Sequence, residues 1–260
     1  MRPRWEENTG PDLATAIAAD PVVVVPVGSV EQHGGHIPVG CDAMAAHLVS
    51  LRAAEAAEGS PRVLVLPPLW YGYSPHHMAF AGTVTLGSEP FIAVLCDIAE
   101  SLLRQGVRRV LLLNGHGGNV ASIDVAACRV GEKWHGRARV AAATYFHLVA
   151  GRTAEFRDSE PGGMGHAGEF ETSLMLAAYP ELVRMEQATT HYPRAPSAYL
   201  ATDLFAAPRV RAYADFKALS PTGTFGDPSL ASRDKGEAIL AACVEELLAF
   251  VRDFAGWPMT

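Results

Sequence analysis

The apolar positions of the chain fall into two rhythms. Val22–Val27, VVVVPV, is continuously apolar rather than alternating, which predicts a strand buried on both faces. RVLVLP at Arg62–Pro67, RRVLLL at Arg108–Leu113 and ARVAAATY at Ala138–Tyr145 predict three more strands. Between them the spacing is helical. Residues 11–19 suit a short helix whose Asp12 can cap the first turn, and Ala43 to about Glu58 suits a second with Asp42 at its N-cap. Gly59-Ser60-Pro61 breaks that helix. Glu89-Pro90 opens a third, which Gly106 ends, and Val120–Lys133 is a fourth. His166–Ala178, stopped by Pro180, and the amphipathic Ser229–Phe254 complete the set.

Three stretches carry no period. Trp70–Leu86 is a long loop dense in aromatics and histidines. His147–Gly165 ends in Pro161-Gly162-Gly163 and is a candidate flexible loop or lid. Residues 187–228 are irregular and rich in Pro, Tyr and Gly. Strands alternating with helices predict an α/β fold, a three-layer sandwich with a mainly parallel sheet between helices. With no internal repeat and no linker, residues 1–260 are expected to form one domain. In such sheets ligands bind beyond the carboxyl ends of the strands.

Composition narrows the classes of function. Hydrophobic residues make up 49% and charged residues 19%, enough for a large core and incompatible with global disorder. The formal charge is −7 and no basic cluster exceeds a pair such as Arg108-Arg109, which argues against nucleic acid as a partner. No apolar stretch approaches the ~20 residues of a membrane span, so no membrane partner is expected. MRPRWEENTGPD has no apolar signal region, and four scattered cysteines form no C-x-x-C pair. Reduced thiols in the cytoplasm are the expectation.

The chemistry sits just past the strands. Glu31-Gln32-His33 follows the first; in extended backbone residues i and i+2 point the same way, so carboxylate and imidazole can converge. Asp42 adds a carboxylate able to bridge two cations. Mixed His and carboxylate donors suit Zn, Mn or Fe. The plain alternative is a chance E-x-H beside a capping aspartate. NGHGGN places His116 between glycines directly after the third strand; it lacks the Lys-Ser/Thr of a phosphate loop, and a histidine in a simple turn is uncommon. GHAGEFETS carries His166, Glu169 and Glu171 at a helix start, where the dipole alone favours carboxylates. Glu169 and Glu171 would lie about 200° apart on a helix, so one at most faces a shared centre. His166, after a glycine-rich loop, suits a general acid/base. His76 and His77 are either packing residues or pocket lining. His36 ranks below Glu31, His33 and Asp42 as a ligand, because Gly34-Gly35 can aim it elsewhere. His47, His135, His147 and His191 have no supporting pattern.

GSVEQHGGHIPVGCDAMAAH, SPHHMAFAGTVTL, NGHGGN, HAGEFETSLMLAAYPELV and SPTGTFGDPSLASRDKGE, in order from about Val22 to about Leu248, resemble the creatininase (creatinine amidohydrolase) family. The resemblance implies a metal-dependent amidohydrolase that assembles as a homohexamer and holds a water between two divalent metals. It implies that Glu31 and His116 bind one metal and His33 the other, with Asp42 bridging. His166 would match the family's proton-shuttling histidine, and Glu171 the glutamate of its E-T-S motif. Two departures stand out. Where creatininase proper continues its NGH motif with an aromatic residue and a metal-binding glutamate, this chain has Gly117-Gly118; Glu169 is the candidate replacement ligand. Where creatininase closes tryptophans over a flat ring, the comparable positions are Phe146 and Gly162-Gly163-Met164. Tyr73, His77 and Phe146 are taken as substrate contacts.

The expectation is therefore hydrolysis of a C–N bond in a small cyclic amide or formamide. The alternatives are a metallopeptidase trimming a short peptide, as the family also contains, and a non-catalytic metal-binding oligomer.

Overall fold

The computed structural model describes residues 1–206 and 208–259. Among them β1 (Val22–Val27), β2 (Val63–Val65), β3 (Arg109–Asn114) and β4 (Arg139–Thr144) form one sheet in the order β2-β1-β3-β4. Every pairing is parallel, with Val24 opposite Leu111 and Leu111 opposite Ala141. The four strands are those expected, with shifted ends. β2 is short because Pro67 and Pro68, lacking N–H groups, cannot extend its ladder.

The helices are α1 (Gly10–Ala18), α2 (Cys41–Ala56), α3 (Ser88–Arg104), α4 (Val120–Lys133), α5 (Tyr145–Leu148), α6 (Glu169–Ala178), α7 (Phe216–Leu219) and α8 (Arg233–Ala255). Their starts correct three readings. Thr9 caps α1, and Asp12 is its reciprocal partner in a capping box. Gly40 stands at the N-cap of α2, so Asp42 lies inside the first turn and its carboxylate is free for other work. Ser232 caps α8, whereas Ser229 belongs to a separate tight turn, Pro228–Leu230.

Alternation along β1 sorts the core into two halves. Val22 and Val24 face Val49 of α2, Leu174 of α6 and Ile239 and Leu247 of α8. Val23, Val25 and Val27 face Phe91 and Leu95 of α3 and Ile123 of α4. Helices therefore cover both faces, giving three layers, and each fully buried side chain of this kind stabilises by about 1.5–3 kcal/mol. Phe146, expected at the substrate, belongs to this core: α5 turns it inward beside Tyr145 at 1% exposure. At Gly28 a Cβ would collide with Ala43 of α2. That close approach presses the first turn of α2 onto the carboxyl end of β1.

The stretch after α5 is tied down rather than loose. Arg157 makes a two-pronged pair with Asp203 at 2.8 Å, and the Gly162 N–H donates to Asp203 at 2.7 Å. All four cysteines are free thiols. No helix among the described residues is long and apolar enough to cross a membrane.

Candidate active site

The site lies where the carboxyl ends of β1 and β3 adjoin. Past Gly28, Val30 bridges antiparallel to Val84, and the Glu31 N–H donates to the Val39 carbonyl at 2.9 Å. The chain is thus held extended through Glu31-Gln32-His33. Glu31 and His33 point into the fold. Gln32 points the other way, its amide donating to the carbonyls of Thr222 at 2.7 Å and Gly34 at 2.9 Å.

Four side chains converge. The Nδ1–H of His33 donates to the Glu31 carbonyl at 2.9 Å, which fixes the tautomer and turns Nε2 to Asp42 Oδ1 at 3.0 Å. His116, just past β3, sets Nδ1 3.1 Å from Glu31 Oε2 and 3.2 Å from Asp42 Oδ2. Asp42 therefore stands between two imidazoles. None of the four residues is more than 4% exposed. Glu31 Oε1 is buried with no hydrogen-bond partner, and Asp42 Oδ2 has only the His116 ring nitrogen beside it. A buried carboxylate oxygen short of donors is costly, which leaves these atoms able to take a further partner.

The charges explain the protonation. Burial opposes a charged His33, but Asp42 outweighs it and raises the imidazole to about 10. Burial likewise opposes a charged His116, and Glu31 outweighs it, again to about 10. Glu31 is held well below the usual carboxylate range, because His116 overcomes the cost of its burial. Two imidazolium protons thus occupy ground that a cation would take over.

Around this core lie groups that spacing alone could not place. Ser74 donates to Glu31 and sits 2.7 Å from Ser29 Oγ and 2.9 Å from His116 Nε2. His77 brings Nε2 to 3.4 Å from Glu31 Oε1, with both ring nitrogens unpartnered, as expected of a residue lining the site. His76 stacks on His116 with centroids 5.4 Å apart. A Cβ on Gly118 would collide with His116 Nε2 and crowd His76 Cε1, so that glycine keeps room for both rings. Ser74 is a site residue that the sequence reading missed, and His76, left open there between packing and pocket lining, lies at the site beside His77. Their only signal was their place in a polar, unperiodic loop.

Three expectations are revised. Tyr73 packs its ring in the apolar layer beneath α3 and α4, and only its carbonyl reaches the site, 3.3 Å from His116 Nε2. Phe146 is core, as described above. Glu169 is not at the cluster: it accepts from the Asp158 and Ser159 N–H groups at 3.0 Å each and from Lys235. Its neighbour on the opposite side of α6, Glu171, turns inward instead, Oε2 lying 4.0 Å from His33 Nε2. Burial, with the negative charge of Asp42 adding to it, pushes Glu171 up to about 7. Its Oε2 accepts from Ala167 N–H at 2.6 Å, and Ala167 sits in the left-handed region at φ +52°. Such a conformation costs about 1–3 kcal/mol in a non-glycine residue and gathers at functional sites.

His166 completes the site. Its Nε2–H donates to the Gln32 carbonyl at 2.7 Å, so Nδ1 is bare and faces Glu31 Oε1 at 3.4 Å. Burial, reinforced by the charge of His33, keeps this imidazole neutral, well below its ordinary value. His36 lies apart, its Nε2 2.9 Å from Thr172 Oγ1.

A parallel α/β sandwich with buried carboxylates and imidazoles at its strand ends can hold metal ions or carry proton-transfer chemistry there. The chain belongs to the creatininase family: residues 6–251 match the family described as creatinine amidohydrolase. It is 33% identical to the creatinine amidohydrolase of Pseudomonas putida, over 96% of this chain and 94% of that protein. It is 33% identical to the mycofactocin precursor peptide peptidase of Mycobacterium tuberculosis (92% and 87% covered). It is 31% identical to the 3-dehydro-scyllo-inosose hydrolase of Thermotoga maritima (89% and 77% covered). Among solved structures, a creatininase Mn form and a mutant creatininase of Zn-Zn type each superpose with a TM-score of 0.80 at 31% identity, covering 97% of this chain and 98% of theirs. Family members are hydrolases acting on C–N bonds, amide and peptide bonds among them.

Proposed function

We propose that the protein hydrolyses a C–N bond of a small cyclic amide or formamide, using two divalent metal ions (Zn, Mn or Fe), and that it works as a cytoplasmic homo-oligomer, a hexamer. The observation that carries the reading is the convergence of Glu31, His33, Asp42 and His116, with Glu31 Oε1 buried and unpartnered. The donor set fits such ions: nitrogen and carboxylate oxygen, with Cys41 nearby but held as a thiol by burial. Glu31 and His116 would hold one ion, His33 and Glu171 the other, with Asp42 shared between them. Related creatininases of Zn-Zn and Mn form support divalent ions at such a site. When bound, the ions lower the pKa of water to roughly 7 and polarise the amide carbonyl.

The remaining steps belong to the chain. Ser74 orients Glu31 and, with the Tyr73 carbonyl, fixes the far side of the His116 ring. His166 takes a proton at its bare Nδ1 and returns it to the leaving nitrogen, a contribution typically about 10²–10⁴-fold. The closed surroundings exclude bulk water, which strengthens every charge interaction inside.

A second reading, trimming of a short peptide, is favoured by the 33% identity to a peptide peptidase. Small-molecule hydrolysis is preferred because His166, the most open of the proposed ligand and acid/base groups, is only 9% exposed. Metal analysis of the purified protein, with a hydrolysis screen of lactams, cyclic ureas, formamides and short peptides, tests both. Metal-free protein that still cleaves an amide sinks the metal-dependent reading. Turnover of peptides alone selects the second.

A further inference from the structure

The inner side chains of the site are sealed from solvent, yet a substrate must reach them. Glu31, His33, Asp42, His77, His116 and Glu171 are between 0% and 4% exposed. Something must move, and one aromatic side chain closes the space over three of the histidines. Phe216 lies with its ring centroid 4.4 Å from that of His77, 4.8 Å from His76 and 5.6 Å from His166. Its other face stacks on Phe225 at 4.1 Å. No other phenylalanine among the described residues pairs with all three rings.

The element that carries Phe216 is built differently from the rest of the site. α7 is a four-residue helix in the irregular 187–228 stretch, and Arg209 to Tyr213 before it are all exposed. Its roots are fixed. Downstream, the Phe225 N–H donates to the His166 carbonyl at 2.7 Å, and Gln32 holds the Thr222 carbonyl. The Leu219 carbonyl is 2.9 Å from His191 Nε2. Upstream, Val210 N–H donates to Tyr199 at 3.1 Å. Between these anchors the strap meets the loop above the site through Phe216, a 3.5 Å contact from the Tyr213 hydroxyl to the Pro75 carbonyl, and Lys217 Nζ lying 4.7 Å from the centre of the Phe80 ring. Tyr213, Lys217 and Ala218 are exposed and no residue from Tyr213 to Ala218 is fully buried, so this short segment opens at lower cost than the strand-end ligands.

We infer that the strap Tyr213–Ala218 is the gate of the site and that Phe216 occupies, in the closed state, ground the substrate takes, so that this ring sets how large a group can be seated against His76, His77 and His166. The gate rests on packing alone; its effect on substrate choice rests on the hydrolase reading above. A flat amide can replace the ring by stacking on the same imidazoles, and a bulky one keeps the strap open.

The test reads the gate without needing a substrate. Diethyl pyrocarbonate acylates neutral imidazoles, and peptide mass spectrometry follows each histidine. In Phe216→Ala, modification of His76 and His77 should accelerate several-fold over wild type, with Phe216→Leu between the two. Exposed His135 and buried His36 serve as controls and should keep their rates. Unchanged His76 and His77 rates in both variants overturn the gate. So does an equal rise at His36, which reports general loosening. In parallel, any amide found to be hydrolysed is compared with its N-substituted forms. Phe216→Ala should improve kcat/KM for the larger forms relative to the smallest, chiefly through KM, while bound metal stays at the wild-type level. If the histidines respond but no form hydrolyses any amide, the hydrolase reading falls and the gate stands. If hydrolysis is found and the histidines do not respond, the gate falls alone.

Discussion

Glu171 Oε2 stands 4.0 Å from His33 Nε2, inside the cluster, while the carboxylate two residues earlier on the same helix points to Lys235. Glu171→Gln should therefore release one of the two proposed metals. Glu169→Gln should keep both and instead lose stability by about 3 kcal/mol, the scale for breaking one side of a buried ion pair. Metal content by mass spectrometry and a thermal melt separate the two. Loss of metal from the Glu169 variant with an unchanged melt would reverse the assignment.

His116 is the link between Glu31 and Asp42. His116→Ala should lower metal affinity by at least about 100-fold, since even residues behind a ligand cost that much. Competition with a coloured chelator measures it, and wild-type affinity in this variant contradicts the proposed ligand set.

For His166 the expectation is a split. His166→Ala should cut kcat by about 10²–10⁴-fold with metal content unchanged. A parallel loss of metal would make it a ligand rather than a proton carrier.

Asp203 offers a pH test away from the site. Burial disfavours its charge, but hydrogen bonds from Arg157 and from the Phe205 and Gly162 N–H groups lower its pKa below the ordinary 3.8. A lowered carboxylate contributes stability that is fully present above the unfolded value and is lost as pH falls through the folded one. The difference in Tm between wild type and Asp203→Asn should be largest near about pH 6 and shrink toward about pH 3. A difference that grows on acidification contradicts the sign.

Much of the frame was legible because doubly buried parallel strands write themselves as unbroken apolar runs, and β1 and β3 did so. Glu31, His33, Asp42 and His116 were legible because each follows a strand end or starts a helix there. Asp42 was misread as a cap: the cap is a glycine, whose conformation leaves no side-chain signal. Only one of Glu169 and Glu171 faces inward, as their separation of about 200° on a helix requires. Which one does so depends on the phase of α6 against α8, where Lys235 claims Glu169, and that phase is a tertiary fact. Ser74 and His76 reach the site through the Val30–Val84 bridge and the Ser74 N–H to Thr85 bond of 2.7 Å, neither of which any local period records. Phe146 failed because a single turn of helix after β4 rotates it into the core.

The tripeptide Glu31-Gln32-His33 sends alternate side chains to the ligand cluster, its middle side chain to the root of the strap, and its middle carbonyl to His166. The proposed ligand geometry and the proposed proton delivery therefore share one reference frame only three residues long. A mutation that shifts this segment cannot alter one without the other, so it is a poor place for new specificity to arise. Variation is free where the frame is only touched, in the stretch around Phe216. New substrates within such a fold should be won by rewriting that stretch while the tripeptide stays still.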